Sequence, residues 1–148
     1  MRLWHKDLIP VLPRQQLIGQ WRECCLIAKQ ISEKGTPNHI LVNKIMDYPL
    51  SHLCYYGRLI ECELASRGYK VHGDCFDKWL RNEKGAVPYP YPEFEDLFKD
   101  WHNDRYLKQC YFNLQEKFDC DGIGLIEWEK IADFIEKYEW RDNGRNKQ

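Results

Sequence analysis

Between Arg14 and Glu33 the apolar residues Leu17, Trp21, Cys24, Ala28 and Ile31 step by 4, 3, 4 and 3 positions. That is the spacing of one stripe along an α-helix, and it cannot line one face of a strand, where alternate residues point to opposite sides. The spacing predicts a helix over about 14–33 with this stripe against the core. Pro10 and Pro13 bracket its entry, and Gly35, Pro37 and Asn38 end it. A short apolar run, His39 to Met46, leads to Asp47 and Pro49. A second long helix follows from about Leu50 to Arg67, with Leu53, Ile60 and Leu64 as its buried line and Gly68 as its stop.

A short helix is expected near Cys75–Glu83. Beyond it, Pro88, Pro90 and Pro92 alternate with Tyr89 and Tyr91, and proline at every second residue forces an extended crossing. The tyrosines are suited to lying over the helices as core cover rather than to serving as a polyproline ligand. Phe94–Trp101, Arg105–Phe118 and Glu127–Trp140 read as further helical segments. No segment sustains a period of two, so the fold is mainly α: one compact helical domain over 1–141 with a polar tail at 142–148. At 148 residues and 43% hydrophobic composition, a chain can bury roughly two-thirds of its unfolded surface without disulfides or a structural metal. Its apolar runs fall far short of the ~20 residues that span a bilayer, and Met1–Asp7 has no secretory h-region. An intracellular, cytoplasmic protein that does not enter membranes is expected.

Seven cysteines with no C-x-x-C pair are expected to be reduced, several of them as small core hydrophobes. His72 and Cys75 form an H-x-x-C pair and His102 adds an imidazole, but no second pair completes a zinc set. Asp119, Asp121 and Gly124 imitate a calcium loop at its positions 1, 3 and 6. Ile123 and Lys130 then occupy positions where oxygen ligands are needed, so this is expected to be a glycine-bearing helix connector. Charge is uneven although the net charge is only -1. Residues 1–72 hold 10 Lys+Arg and 6 Asp+Glu, giving +4, and residues 73–148 hold 12 and 17, giving -5. The first half is the better home for an anion site. There, Arg22 and Glu23 are neighbours on the first helix, and Glu23 lies off the apolar stripe on a face with Gln16, Gly19 and Gln20. Taken alone, such a pair is a solvated helix surface.

Met1-Arg2-Leu3 together with Gln15-Gln16-Leu17-Ile18-Gly19-Gln20-Trp21-Arg22-Glu23 resembles the opening of the pyrimidine-dimer DNA glycosylases, the phage endonuclease V type. Leu59-Ile60-Glu61-Cys62 and Arg67-Gly68-Tyr69 resemble that family's second helix, so the likeness covers roughly residues 1–72. It implies a mainly helical glycosylase and abasic-site lyase acting on damaged double-stranded DNA, with no metal or organic cofactor. The N-terminal α-amine would attack C1′ of the damaged nucleotide, and a glutamate, here Glu23, would assist. An α-amine titrates near ~7.7–8 and a lysine near ~10.4, so the terminus is the better nucleophile at neutral pH.

Phage members lose the initiator Met to expose a threonine amine. Arg2 is a residue that methionine aminopeptidases reject, so Met1 itself is expected to stand at the nucleophile position. Gln16 replaces a family histidine and can hydrogen-bond but not titrate, and the family's basic, aromatic C-terminal segment has no counterpart. The site residues implied are Met1 and Glu23 for the chemistry and Arg2, Arg22, Gln16, Arg58 and His52 for DNA contact, in a monomer. The alternative is a non-catalytic nucleic-acid- or protein-binding domain on the same scaffold.

Overall fold

A computed structural model of the protein describes residues 1–72, 74–81 and 88–140. Gly73, the predicted end of the third helix and the tail 142–148 lie outside them. Five α-helices form the described chain: α1 (Arg14–Lys34), α2 (Leu50–Ser66), α3 (Asp74–Leu80), α4 (Asp104–Asp119) and α5 (Leu125–Lys137). No strand occurs among the described residues. The fold is all-α, as the periodicity predicts. No helix among these residues is long and apolar enough to cross a membrane.

α1 buries Leu17, Cys24, Ala28 and Ile31 from the predicted stripe, with Gln20 and Ile27 beside them, while Trp21 is half-buried. Gly35 closes the helix at φ 76°, a left-handed conformation that costs glycine little, and its N–H donates to the Ile31 carbonyl at 2.8 Å. α2 runs against α1, and α3 packs across both. The close approach is made at Gly57, where a Cβ would stand 2.8 Å from the ring of Phe76 on α3. One buried cluster joins the first helices to Leu107, Cys110 and Leu114 of α4 and Ile131 of α5. All seven cysteines are free thiols, and Cys24, Cys54 and Cys110 are buried.

The short elements depart from the sequence reading. Lys6–Val11 forms a 3-10 turn ahead of α1, capped by the His5 ring accepting from the Asp7 N–H at 3.1 Å. Only Phe94–Asp96 of the predicted Phe94–Trp101 segment is helical, again as a 3-10 turn. The physical reason is competition for its backbone. The Lys6 ammonium binds the carbonyls of Phe94, Glu95 and Leu97 at 2.6, 3.1 and 3.0 Å, and His52 Nδ1 accepts from the Phe98 N–H at 3.1 Å. Phe98 and Asp100 then turn the chain at φ 50° and 71°. α5 starts two residues earlier and ends three residues earlier than predicted. In the crossing, Tyr91 stacks on Tyr55 of α2 at 5.5 Å as cover, whereas Tyr89 is 83% exposed. His102 is a core residue, its Nδ1 accepting from the Lys6 N–H at 3.0 Å.

Candidate active site

The first four residues have no regular structure of their own, so their backbone polar groups must be satisfied by something else. Side chains from three helices do this. On α1, Gln20 Nε2 donates to the Arg2 carbonyl at 2.9 Å, and Gln20 Oε1 accepts from the Trp4 N–H at 2.7 Å. On α2, the Tyr56 hydroxyl stands 2.7 Å from the Trp4 carbonyl and 2.8 Å from Gln20 Oε1, sharing its single proton between them. On α4, the Tyr106 hydroxyl donates to the Leu3 carbonyl. Burial pushes both phenols up, so each remains a donor. Leu3 and Trp4 anchor the segment in the core, and Met1 and Arg2 stay half-buried.

The same Gln20 amide reaches Glu23, one turn along α1, with Nε2 3.1 Å from Glu23 Oε2. The start of the chain and Glu23 therefore meet at one side chain. Next to them, a Cβ placed on Gly19 would meet nothing within 4 Å, so α1 is open at Gly19. Gln16 Oε1 is buried with no hydrogen-bond partner among the described residues. The Arg2 guanidinium lies 5.4 Å from the centre of the Trp4 ring and 4.0 Å from Cys110 Sγ. Arg22 is exposed on the adjacent face of α1, and its guanidinium makes no ion pair among the described residues.

A family model described as pyrimidine dimer DNA glycosylase matches residues 1–77. The chain belongs to that family. Neither the curated proteins nor the solved structures give a significant match. The matched segment of this glycosylase-family chain contains every residue implied for its site, and the family acts on DNA.

Five of those residues, Met1, Arg2, Gln16, Arg22 and Glu23, fall on the N-terminal segment and the nearby surface of α1. The other two are engaged elsewhere. Arg58 is locked to Asp77 of α3 at 2.5 and 2.6 Å and to Glu61 at 2.7 Å. His52 serves the Phe98 corner and is lowered by burial. Sequence reasoning missed Gln20, Tyr56, Tyr106 and Cys110 of this site. The one available signal was a glutamine between Leu17 and Cys24 on the buried side of α1. The acidic half also meets the amino-terminal segment, through Tyr106 and Cys110 of α4.

Proposed function

We propose that the protein is a glycosylase and abasic-site lyase for damaged duplex DNA, with the α-amine of Met1 as nucleophile and Glu23 as the assisting carboxylate. One observation carries this reading: the Arg2 carbonyl and the Glu23 carboxylate are bound to the same amide group. The Met1 nitrogen precedes that carbonyl by one residue, which keeps it within about 7 Å of it. An amine and a carboxylate are thus gathered near the opening of α1 at Gly19, beside two arginines that carry no carboxylate partner among the described residues.

In the reaction, the unprotonated amine forms a bond to C1′ and the glycosidic bond breaks, its electron pair leaving with the base. Opening of the sugar ring gives an imine. Loss of a C2′ proton then expels the 3′ phosphate by β-elimination. Glu23 suits both the positive charge growing on the sugar and the proton transfers. Arg2 and Arg22 suit the flanking phosphates. Reaching C1′ requires distortion of the duplex. The shared core of both halves supports one domain over 1–141, acting as a monomer.

Borohydride reduction in the presence of abasic-site duplex tests the reading. The expected product is a covalent adduct whose peptide map ends at residue 1, lost when the terminus is acetylated. An adduct on a lysine, or none, refutes the amine assignment. Specific binding without any cleavage would favour the non-catalytic alternative.

A further inference from the structure

Gln20 is 1% exposed, and its environment uses the whole hydrogen-bonding capacity of an amide. Both Nε2 protons are taken, by the Arg2 carbonyl and by Glu23 Oε2, and both Oε1 lone pairs face donors, the Trp4 N–H and the Tyr56 hydroxyl. Only one amide orientation satisfies these four groups, because flipping it would set Nε2 against the Trp4 N–H and Oε1 against a carbonyl and a carboxylate. A glutamate could not donate to the latter pair, and a leucine or methionine would leave the buried Trp4 N–H and the half-buried Arg2 carbonyl and Glu23 carboxylate short of a partner. Such complete use is more than packing requires.

We infer that Gln20 is a positioning residue that clasps the amino-terminal segment to Glu23 and so sets the distance between the attacking amine and the assisting carboxylate. This rests on the reading of Met1 and Glu23 given above. The clasp holds residue 2 by its carbonyl and residue 4 by its N–H, so the register of the terminus is fixed by backbone and not by the side chains of residues 1 and 2. Glu23 in turn is held by a neutral donor, which orients the carboxylate without giving it the full counter-charge of an ion pair. Gln20 itself is sealed from solvent, so it has no surface to offer DNA. Its effect must fall on the reaction and not on duplex affinity.

The test compares wild type, Q20M and Q20E in single-turnover imine trapping on abasic-site duplex, with duplex affinity and thermal unfolding followed alongside. Q20M keeps the side-chain length and removes all four bonds. Its trapping rate should fall about 10²-fold, the scale of a misplacement of about 1 Å between reacting groups, while affinity stays within about twofold. Q20E covers the case in which Q20M does not fold, since its carboxylate still accepts from Trp4 and Tyr56.

In Q20E two carboxylates meet in one site and come to share a proton. While the proton is present the new side chain can replace one lost donor; once it leaves, repulsion opens the clasp. Trapping by Q20E should therefore fall as pH rises through this titration, a fall that wild type, with a neutral amide at this position, does not show. A role in stability alone would lower the unfolding temperature without producing that fall. If wild type traps at residue 1 and folded Q20M or Q20E traps at the same rate and with the same pH profile, the clasp is refuted and the amine reading stands. If wild type gives no adduct at residue 1, the amine reading falls and the clasp falls with it.

Discussion

Acidification from pH 7 to pH 5 should destabilise the protein through two histidines behind the amino-terminal segment. His5 and His102 stack with ring centres 5.2 Å apart, 1% and 6% exposed. Each uses Nδ1 as an acceptor for a backbone N–H, so each is neutral with its proton on Nε2, and neither Nε2 has a partner among the described residues. Protonating Nδ1 would sacrifice those two bonds. Burial lowers His5 from 6.5 to about 4, with Asp7 and Asp104 opposing and Lys6 assisting. Burial also lowers His102 strongly, reinforced by His5 and Lys6.

The unfolded chain binds protons that the folded chain refuses, so stability rises with pH across this window. The contribution of His5 is complete above its unfolded value of 6.5 and is lost as pH falls toward its folded value of about 4. Linkage gives about 2 kcal/mol for His5 alone between pH 7 and pH 5, and His102 adds loss of the same sign. Urea unfolding followed by tryptophan fluorescence at pH 7, 6 and 5 reads this directly as a falling midpoint at constant slope. A midpoint that is flat or rises toward pH 5 would refute the argument, because it would mean that the buried imidazoles gain partners when they become charged.

Glu23→Gln, nearly isosteric, should slow strand cleavage by at least about 10²-fold, as for loss of a general acid/base, while gel-shift affinity for duplex holds or rises because a negative charge near phosphates is gone. Arg58→Met should cost about 1–2 kcal/mol in urea unfolding, since among the described residues Asp77 then keeps Arg81 at 3.8 Å as its ion-pair partner, and should leave duplex affinity unchanged. Arg22→Ala should do the reverse, with stability within about 0.5 kcal/mol and weaker binding to all duplex sequences alike, read from titrations at several salt concentrations. Gly57→Ala sets a methyl 2.8 Å from the Phe76 ring and should cost about 1–3 kcal/mol by overpacking; an unchanged midpoint would show that α3 moves away freely.

Helices were legible because their signal is local. The stripe from Leu17 to Ile31 repeats at the helical period, and Gly35 ends α1 wherever that helix happens to lie. The place of Glu23 near Gln16 and Gly19, off the apolar stripe, follows from the same period, whereas Gln20, expected on that face, is turned into the core. The short elements could not be read in this way. Phe94–Trp101 has a helical composition, yet Lys6, some 90 positions earlier, takes its carbonyls. Arg58 looks like a free cation on a helix until Asp77 is brought against it by the α2–α3 packing.

What gathers the amino terminus is likewise beyond any local pattern. Gln20 lies 18 positions from the carbonyl it holds, Tyr56 52 and Tyr106 103. A hydrogen bond between such distant residues has no period and leaves no mark in either neighbourhood. It exists only because packing α1, α2 and α4 on one core brings three polar side chains to the same short stretch of backbone, whose buried N–H and C=O groups must find partners there.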